Sequence, residues 1–127
     1  MRLALALAVA AAAVAWAGHV SLVREAAARA GELRNPFDGV ETARAAGAKL
    51  YARECSACHG QNRQGQRDVP PLDQAEVYDA SPGALFWILR NGALHRGMPS
   101  FAHLPEPQRW QIITFLRWST VTSRSTH

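Results

Sequence analysis

The most constraining feature of this sequence is the run Cys55-Ser56-Ala57-Cys58-His59, which contains both cysteines of a 127-residue chain. A Cys-x-x-Cys-His run is the attachment pattern of a c-type haem. Two thiols at this spacing can each add across one vinyl group of a porphyrin, and the neighbouring imidazole is then close enough to ligate the iron. The sequence therefore predicts thioether bonds at Cys55 and Cys58 and proximal iron ligation by His59.

Three other interpretations of the cysteine pair compete with this one. A thioredoxin-like redox pair requires a βαβ context, whereas the sequence around Cys55 has a helical pattern. A structural zinc site usually combines two cysteine pairs, or one cysteine pair and one histidine pair, and no second pair is present. A disulfide is compatible with an exported protein, but it leaves His59 unexplained.

Residues 1–23 predict either an export signal that is removed or a membrane anchor that is retained. Arg2 precedes an apolar run from Leu3 to Ala17, and Ala15-Trp16-Ala17 matches the small-x-small cleavage pattern. The stretch Leu3–Val23 also exceeds the ~20 residues needed to span a bilayer. Both alternatives take the chain out of the cytoplasm, and the helix-forming sequence that follows slightly favours a tethered protein.

The rest of the chain divides into a linker, one domain and a tail. Residues 24–37 predict a helical and turn linker, because an Ala-rich stretch that favours helix is followed by the turn residues Asn35-Pro36. The domain is predicted over residues 38–119, a length that permits a single core. Residues 120–127 are polar, without apolar periodicity, and predict a frayed end.

The first predicted helix of the domain covers Val40–Arg53. Its apolar residues recur at helical spacing, and Asp38 or Thr42 is available to cap its start. Gly47 in the helix interior costs about 1 kcal/mol relative to alanine. This cost predicts that another helix crosses closely at Gly47.

Two further helices are predicted, one from Ser81-Pro82 to Asn91-Gly92 and one from Pro105 to Trp118 with a single apolar stripe. The former is apolar on nearly all faces, which is more than a short helix with one neighbour needs. A large flat cofactor would cover that surface. Trp87 is the candidate for contact with the porphyrin, its indole N–H meeting a propionate, and an ordinary core tryptophan is the alternative.

The run Pro70-Pro71-Leu72 closes a polar loop that begins at Gly60. Proline restricts the backbone, so a carbonyl in this run can be held against the ring of His59. Such a group would orient the imidazole in the way that outer groups orient metal-bound histidines. A plain rigid turn is the alternative.

Met98 is the candidate for the distal iron ligand, because the only other methionine is the initiator Met1. A methionine thioether is an established axial ligand of haem, although without a haem a lone methionine is usually gap-filling core. His95 and His103 flank the same loop and are the rivals, since either would give coordination by two histidines.

The formal net charge of +4 marks a basic chain. Basic residues do not alternate with aromatic residues, so nucleic-acid binding has little support. A basic face that attracts an acidic redox partner is consistent with the charge. Arg90 and Arg96 are the candidates for facing such a partner or a propionate, and two solvated surface residues are the alternative.

Together these features resemble a small class I c-type cytochrome of the bacterial, exported kind. The matching residues follow the order of that family from Val40 to Ser119: Gly47, Leu50 and Tyr51, then Cys55 to Gly60, Pro70-Pro71-Leu72, Leu85 to Gly92, Met98 to Phe101, and Trp110 to Leu116. The resemblance implies an all-α fold of several short helices around one covalently attached haem c, with the terminal helices crossing.

The resemblance also implies roles for single residues. Cys55 and Cys58 would form the thioethers, His59 and Met98 would ligate the iron, and the Pro70 carbonyl would accept a hydrogen bond from His59. Two axial ligands imply an electron-transfer protein and not an enzyme, and the resemblance extends to cytochrome modules that are subunits of an oxidoreductase complex.

The implied function is the transport of single electrons between exported redox partners, such as a dehydrogenase or respiratory complex and its acceptor. The implied location is the periplasmic side of the bacterial inner membrane, with exported or membrane redox proteins as partners. A haem-based sensor or a peroxidase-like enzyme, with a vacant or labile distal position, is the alternative.

Overall fold

The computed structural model describes residues 2–124, and the regular elements in that range are helical. In chain order they are α1 (Arg2–Ala30), α2 (Glu41–Glu54), α3 (Ser56–His59), α4 (Ala75–Asp79), α5 (Pro82–Asn91), a 3₁₀ turn (Leu94–Arg96) and α6 (Glu106–Arg124). The prediction of an all-α fold is confirmed. The short helices α3 and α4 were not anticipated, because four or five residues are too few to show a helical period.

The helices form layers in which α6 packs against α2 on one side and against α4 and α5 on the other, while α1 packs along α5. Large apolar side chains from α2, α5 and α6 fill the space between these helices. The main core contains Leu50, Tyr51, Cys55, Leu85, Phe86, Leu89, Trp110, Ile112, Ile113 and Leu116. Because Cys55 belongs to this core, the cysteine motif is attached directly to the best-packed part of the molecule.

The crossing of α2 and α6 has no room for a side chain at Gly47. A Cβ atom at this position would lie 1.9 Å from the Gln111 carbonyl oxygen and 2.9 Å from the Cβ atom of Phe115. Next to this crossing, the rings of Tyr51 and Phe115 are in contact, with their centroids 5.4 Å apart. The close helix contact predicted from Gly47 is confirmed.

The helix α2 starts without the predicted side-chain cap. Val40 occupies the N-cap position in an extended conformation, and its side chain makes no capping hydrogen bond, so the prediction of Asp38 or Thr42 as the cap was wrong. Glu41 lies in the first turn, where the helix dipole favours a carboxylate, and forms an ion pair with Arg44.

The helix α6 continues to Arg124, beyond the predicted helix end at Trp118 and into the predicted polar tail. Serine and threonine disfavour helix by only a few tenths of a kcal/mol each. Adding residues to an existing helix avoids the cost of a new nucleus. Residues 125–127 of the predicted tail, like Met1, lie outside the described residues.

The helix α5 has the predicted ends. The Ser81 hydroxyl accepts a hydrogen bond of 3.2 Å from the backbone N–H of Ala84, Pro82 is in the first turn, and Gly92 follows the last residue. Its apolar residues on several faces have two protein neighbours, because α6 covers one side and α1 another. Protein therefore covers part of the apolar surface for which the sequence predicted a cofactor.

The helix α1 is continuous from the predicted leader into the predicted linker and ends at Ala30. Turns follow, and Asn35 lies buried among them, where its side-chain amide donates a 2.8 Å hydrogen bond to the Thr114 hydroxyl on α6. Within residues 2–124, the structure has no helix that is both long enough and apolar enough to cross a membrane.

Candidate functional site

The cysteine motif forms a helical turn that continues α2 almost without interruption. The N–H of Cys55 donates to the Tyr51 carbonyl at 2.9 Å, and the N–H of His59 donates to the Cys55 carbonyl at the same distance. Residues three apart on such a turn face the same side, so the backbone directs Cys55 and Cys58 to one side. Neither cysteine is in a disulfide.

The ring of His59 is held by the proline run. Its Nδ1 atom lies 2.9 Å from the Pro70 carbonyl oxygen. A carbonyl oxygen only accepts, so Nδ1 carries the proton in this hydrogen bond. Metal ligation by the neutral ring would then use Nε2, which is the usual arrangement for a ligating histidine whose other nitrogen donates to an outer group.

The polar loop between His59 and Pro70 is tied back to its own ends. The N–H of Gly65 donates to the His59 carbonyl at 2.7 Å, and the N–H of Leu72 donates to the Arg63 carbonyl at 2.8 Å. These bonds bring Pro70 next to His59, although eleven positions separate them in the sequence. The loop therefore positions the site without contributing to the core.

Two residues that support the motif were missed as site residues. The buried hydroxyl of Tyr51 donates a 2.7 Å hydrogen bond to the Gly60 carbonyl. The side-chain amide of Gln66 donates to the carbonyls of Ala57 at 2.7 Å and Cys58 at 3.1 Å. A buried tyrosine needs a partner for its hydroxyl, which is a weak signal for Tyr51, but no local pattern points to Gln66.

Met98 is half-buried and packs against the main core. Its backbone pairs with Ala93 through hydrogen bonds of 3.0 and 3.1 Å in the two directions. The N–H of Phe101 donates to the Leu89 carbonyl at 2.7 Å, which attaches the far end of the loop to α5. The loop that carries Met98 is thus folded back onto the end of α5.

The rival histidines lie in more solvated positions than Met98. His95 and His103 are both exposed. The Nε2 atom of His95 accepts a 3.2 Å hydrogen bond from Arg96. The ring centroids of His103 and Phe101 are 5.9 Å apart. Of the three side chains considered for distal ligation, that of Met98 is the one that packs against the core.

Residues 42–116, more than half of the chain, match the model of a protein family described as cytochrome c oxidase, cbb3-type, subunit III. The chain belongs to this family. The matched range extends from the start of α2 through most of α6 and contains the cysteine motif, Pro70 and Met98, whereas α1 lies outside it. Searches of curated proteins and of solved structures found no significant match.

Membership of this cytochrome c family makes the domain one of haem-based electron transfer, with haem c and its iron as the covalently bound group. The donor set of the structure is compatible with this group. It offers two thiols outside any disulfide, an imidazole whose Nδ1 is engaged by a carbonyl, and a half-buried thioether. Imidazole and thioether are both established iron ligands.

The two thiols of this cytochrome domain differ in their surroundings. Cys55 is 8% exposed, and Cys58 is exposed. Burial raises the pKa of the Cys55 thiol to about 12, and the charges of Glu54 and Cys58 add to that effect. The structure thus gives the buried thiol much less thiolate character at neutral pH than an ordinary cysteine has.

The predicted haem contact Trp87 lies on the α1 side of α5. It is half-buried, and the guanidinium carbon of Arg29 is 5.7 Å from the centroid of its ring, a distance typical of a cation–π contact. Arg90 and Arg96 are exposed. The structure therefore brings together His59 and Pro70. It also places Trp87 and Met98 against the same buried cluster of α1 and α5 side chains.

Proposed function

We propose that this chain is a mono-haem c-type cytochrome that carries single electrons between exported redox partners. In this proposal Cys55 and Cys58 would hold the haem covalently, and His59 and Met98 would ligate its iron. The observation that carries it is the 2.9 Å contact between His59 Nδ1 and the Pro70 carbonyl, within a Cys-x-x-Cys-His turn. Once bound, the haem supplies an iron that alternates between the ferric and ferrous states.

The chain's own residues determine the properties of that iron. The Pro70 carbonyl fixes the tautomer and the orientation of the His59 ring and makes its other nitrogen more basic. The thioether of Met98 is a soft, neutral donor that favours the reduced metal and raises the potential relative to a second histidine. The core around Cys55 excludes water, so that little rearrangement accompanies a change of charge.

The location and the partners follow from features outside the site. Residues 1–23 support export to the periplasmic side of the bacterial inner membrane, with the leader either removed or retained. The family description names a subunit of a respiratory oxidase, which supports a membrane respiratory complex as one partner. The net charge of +4 supports an acidic docking surface on that partner.

The proposal is tested by producing the full chain in a bacterium that attaches haem c outside the cytoplasm. The purified protein should exceed the mass of its polypeptide by one haem, and the same measurement shows whether the leader is retained. The ferric spectrum should contain the weak red-end band of sulfur–iron ligation. A colourless product with the polypeptide mass alone would contradict the proposal.

Three variants test the distal ligand. Met98→Ala should abolish the sulfur–iron band, whereas His95→Ala and His103→Ala should keep it, because these two histidines lie in exposed positions. If the band is absent from the unaltered protein and external ligands bind at once, the distal position is open and a sensor or peroxidase-like function replaces electron transfer.

A further inference from the structure

The helix α1 lies outside the family match, yet it makes a close contact with α5. A Cβ atom at Gly83 would lie 1.8 Å from the Ala30 carbonyl oxygen and 3.0 Å from the Cβ atom of Leu33. Ala26, one turn before Ala30 on α1, and Ala84, next to Gly83 on α5, are both 0% exposed. The small residues let the two backbones meet, so the second half of α1 is a layer of the domain.

This contact extends to the loop that carries Met98. Ala26, Ala84 and Ile88 form a buried cluster against which two side chains of α1, Leu22 and Val23, pack together with Met98. Nearer the start of α1, a Cβ atom at Gly18 would lie 3.1 Å from a guanidinium nitrogen of Arg96. The helix thus spans from the first turn of α5 to the residues just before Met98.

Hydrogen bonds fix the backbone of Met98, whereas packing determines the conformation of its side chain. The backbone is already paired with Ala93. The side chain has three rotatable bonds and adapts to whatever space it is given, so its neighbours select the conformer. Those neighbours come from the main core on one side and from the α1–α5 cluster on the other.

We propose that residues 18–30 of α1 are a positioning element for Met98. This segment holds the Met98 thioether in place for ligation and opposes its replacement by other ligands. This inference rests on the proposed ligation of the iron by Met98. Cleavage at the small-x-small pattern Ala15-Trp16-Ala17 would leave residues 18–30 in the protein, and a retained anchor keeps them as well. Because coupling between two equilibria is reciprocal, ligation by Met98 in turn stabilises the docked helix.

The experiment uses the full, haem-loaded chain and separates the docking of α1 from the fold of the domain. Ala26→Glu puts a carboxylate at a position with no exposure, where an unpaired charge is strongly disfavoured. Gly83→Ala removes the space between the two backbones by a different change. Ala28→Glu is the matched control, because it introduces the same group on the same helix at an exposed position.

Three measurements are made on each protein: the rate of proteolysis within α1, the sulfur–iron absorption band, and the dissociation constant for added imidazole. In Ala26→Glu and Gly83→Ala, we expect faster cleavage of α1, a weaker band and imidazole binding about tenfold tighter, which is within the usual range of coupling between sites. Ala28→Glu should match the unaltered protein in all three.

Two results would overturn the inference. In the first, α1 becomes sensitive to protease while the band and the imidazole affinity stay unchanged. In the second, α1 remains as resistant in Ala26→Glu and Gly83→Ala as in the control. Absence of the band from the unaltered protein is a separate outcome, because it removes Met98 as a ligand and with it the basis of the inference.

Discussion

At the residue scale, two carbonyl oxygens stabilise the end of the cysteine motif. Pro70 accepts from the His59 ring, and Gly60, the residue after His59, accepts from the hydroxyl of Tyr51. Tyr51 is 2% exposed. Burial raises the pKa of the Tyr51 hydroxyl to about 12, with a smaller contribution from Cys55 and an opposing one from Arg63. Hydrogen bonds with α2 and with the proline run thus both stabilise the motif.

Replacing Tyr51 by phenylalanine should lower the free energy of unfolding by about 1 kcal/mol, the usual net value of one hydrogen bond. The Gly60 carbonyl keeps the hydrogen bond that it accepts from the N–H of Arg63, so no unpaired acceptor adds to this loss. Urea denaturation of the haem-loaded protein at neutral pH measures this loss. Tyr78→Phe is the control, because Tyr78 is the chain's other tyrosine and is less buried. Equal stability of the two variants would contradict a structural role for the Tyr51 hydroxyl.

The raised pKa of the Tyr51 hydroxyl predicts a loss of stability at alkaline pH. The unfolded chain loses the tyrosine proton near pH 10, whereas the folded protein keeps it up to about pH 12. Between these values the unfolded state binds fewer protons, so stability falls as the pH rises. Urea midpoints measured from neutral pH to about pH 11 should decline less in Tyr51→Phe than in the unaltered protein, and parallel declines would contradict the prediction.

The two thiols should differ in reactivity before haem is attached. In a chain produced without haem attachment, Cys58 should react with iodoacetamide at least ~10-fold faster than Cys55, because Cys55 is buried and its raised pKa disfavours the thiolate. The variants Cys55→Ser and Cys58→Ser leave one thiol each, and mass spectrometry follows the rates. The difference should disappear in denaturant, and equal rates in the folded variants would contradict the burial of Cys55.

At the scale of helices, α5 packs against both α1 and α6. Its Phe86 ring stacks on Trp110 of α6, with the centroids 4.1 Å apart, and its Gly83 meets the end of α1. The loop with Met98 leaves from its other end. Both flanks of α5 are thus covered by helix, which explains why so short a helix is apolar on several faces.

The contact between α2 and α6 predicts that Gly47→Ala destabilises the protein, which is the opposite of what helix propensity predicts. Propensity alone predicts that Gly47→Ala stabilises α2 by about 1 kcal/mol. The overlap with the Gln111 carbonyl should instead destabilise the domain by about 1–3 kcal/mol. Chemical denaturation decides between them, and Ala45→Gly at an exposed position on the same helix shows the effect of propensity alone. A more stable Gly47→Ala protein would contradict the close crossing.

At the scale of the whole molecule, two exposed arginines lie near opposite ends of α5. The exposed Arg90 lies near the end that leads to Met98, whereas the exposed Arg34 lies close to Pro82 at the other end. A helix of ten residues is about 15 Å long, which exceeds the screening distance of about 10 Å at 0.1 M salt. A charge at one end therefore has little effect at the other at this salt concentration.

If electrons leave the haem near the Met98 loop, Arg90→Glu should slow oxidation by the anionic reagent hexacyanoferrate(III) severalfold, because it reverses a charge that attracts the reagent. Arg34→Glu changes the net charge by the same amount and should have a smaller effect. Stopped-flow rates at several salt concentrations measure both, and the difference should shrink as salt rises. Equal effects of the two variants would place the exit for electrons elsewhere.

The sequence by itself determined the chemistry of the site and the helical class of the fold. Two cysteines and a histidine at fixed spacing identify a haem attachment motif without knowledge of any contact. The cost of Gly47 in a helix predicted a crossing that the structure contains. The assignment of Met98 as a ligand remains a prediction, because a gap-filling methionine would pack against the core in the same way.

Only the tertiary structure decided which distant residues meet. Examples are the hydrogen bond of Tyr51 with Gly60, the contact of Trp87 with α1 and the docking of α1 on α5. No local sequence pattern indicates that these segments meet. The continuation of α6 to Arg124 likewise contradicts the local composition. Propensity and spacing describe a residue's own segment, whereas burial and hydrogen-bond partners depend on how separate segments pack, because these interactions form only when the segments meet.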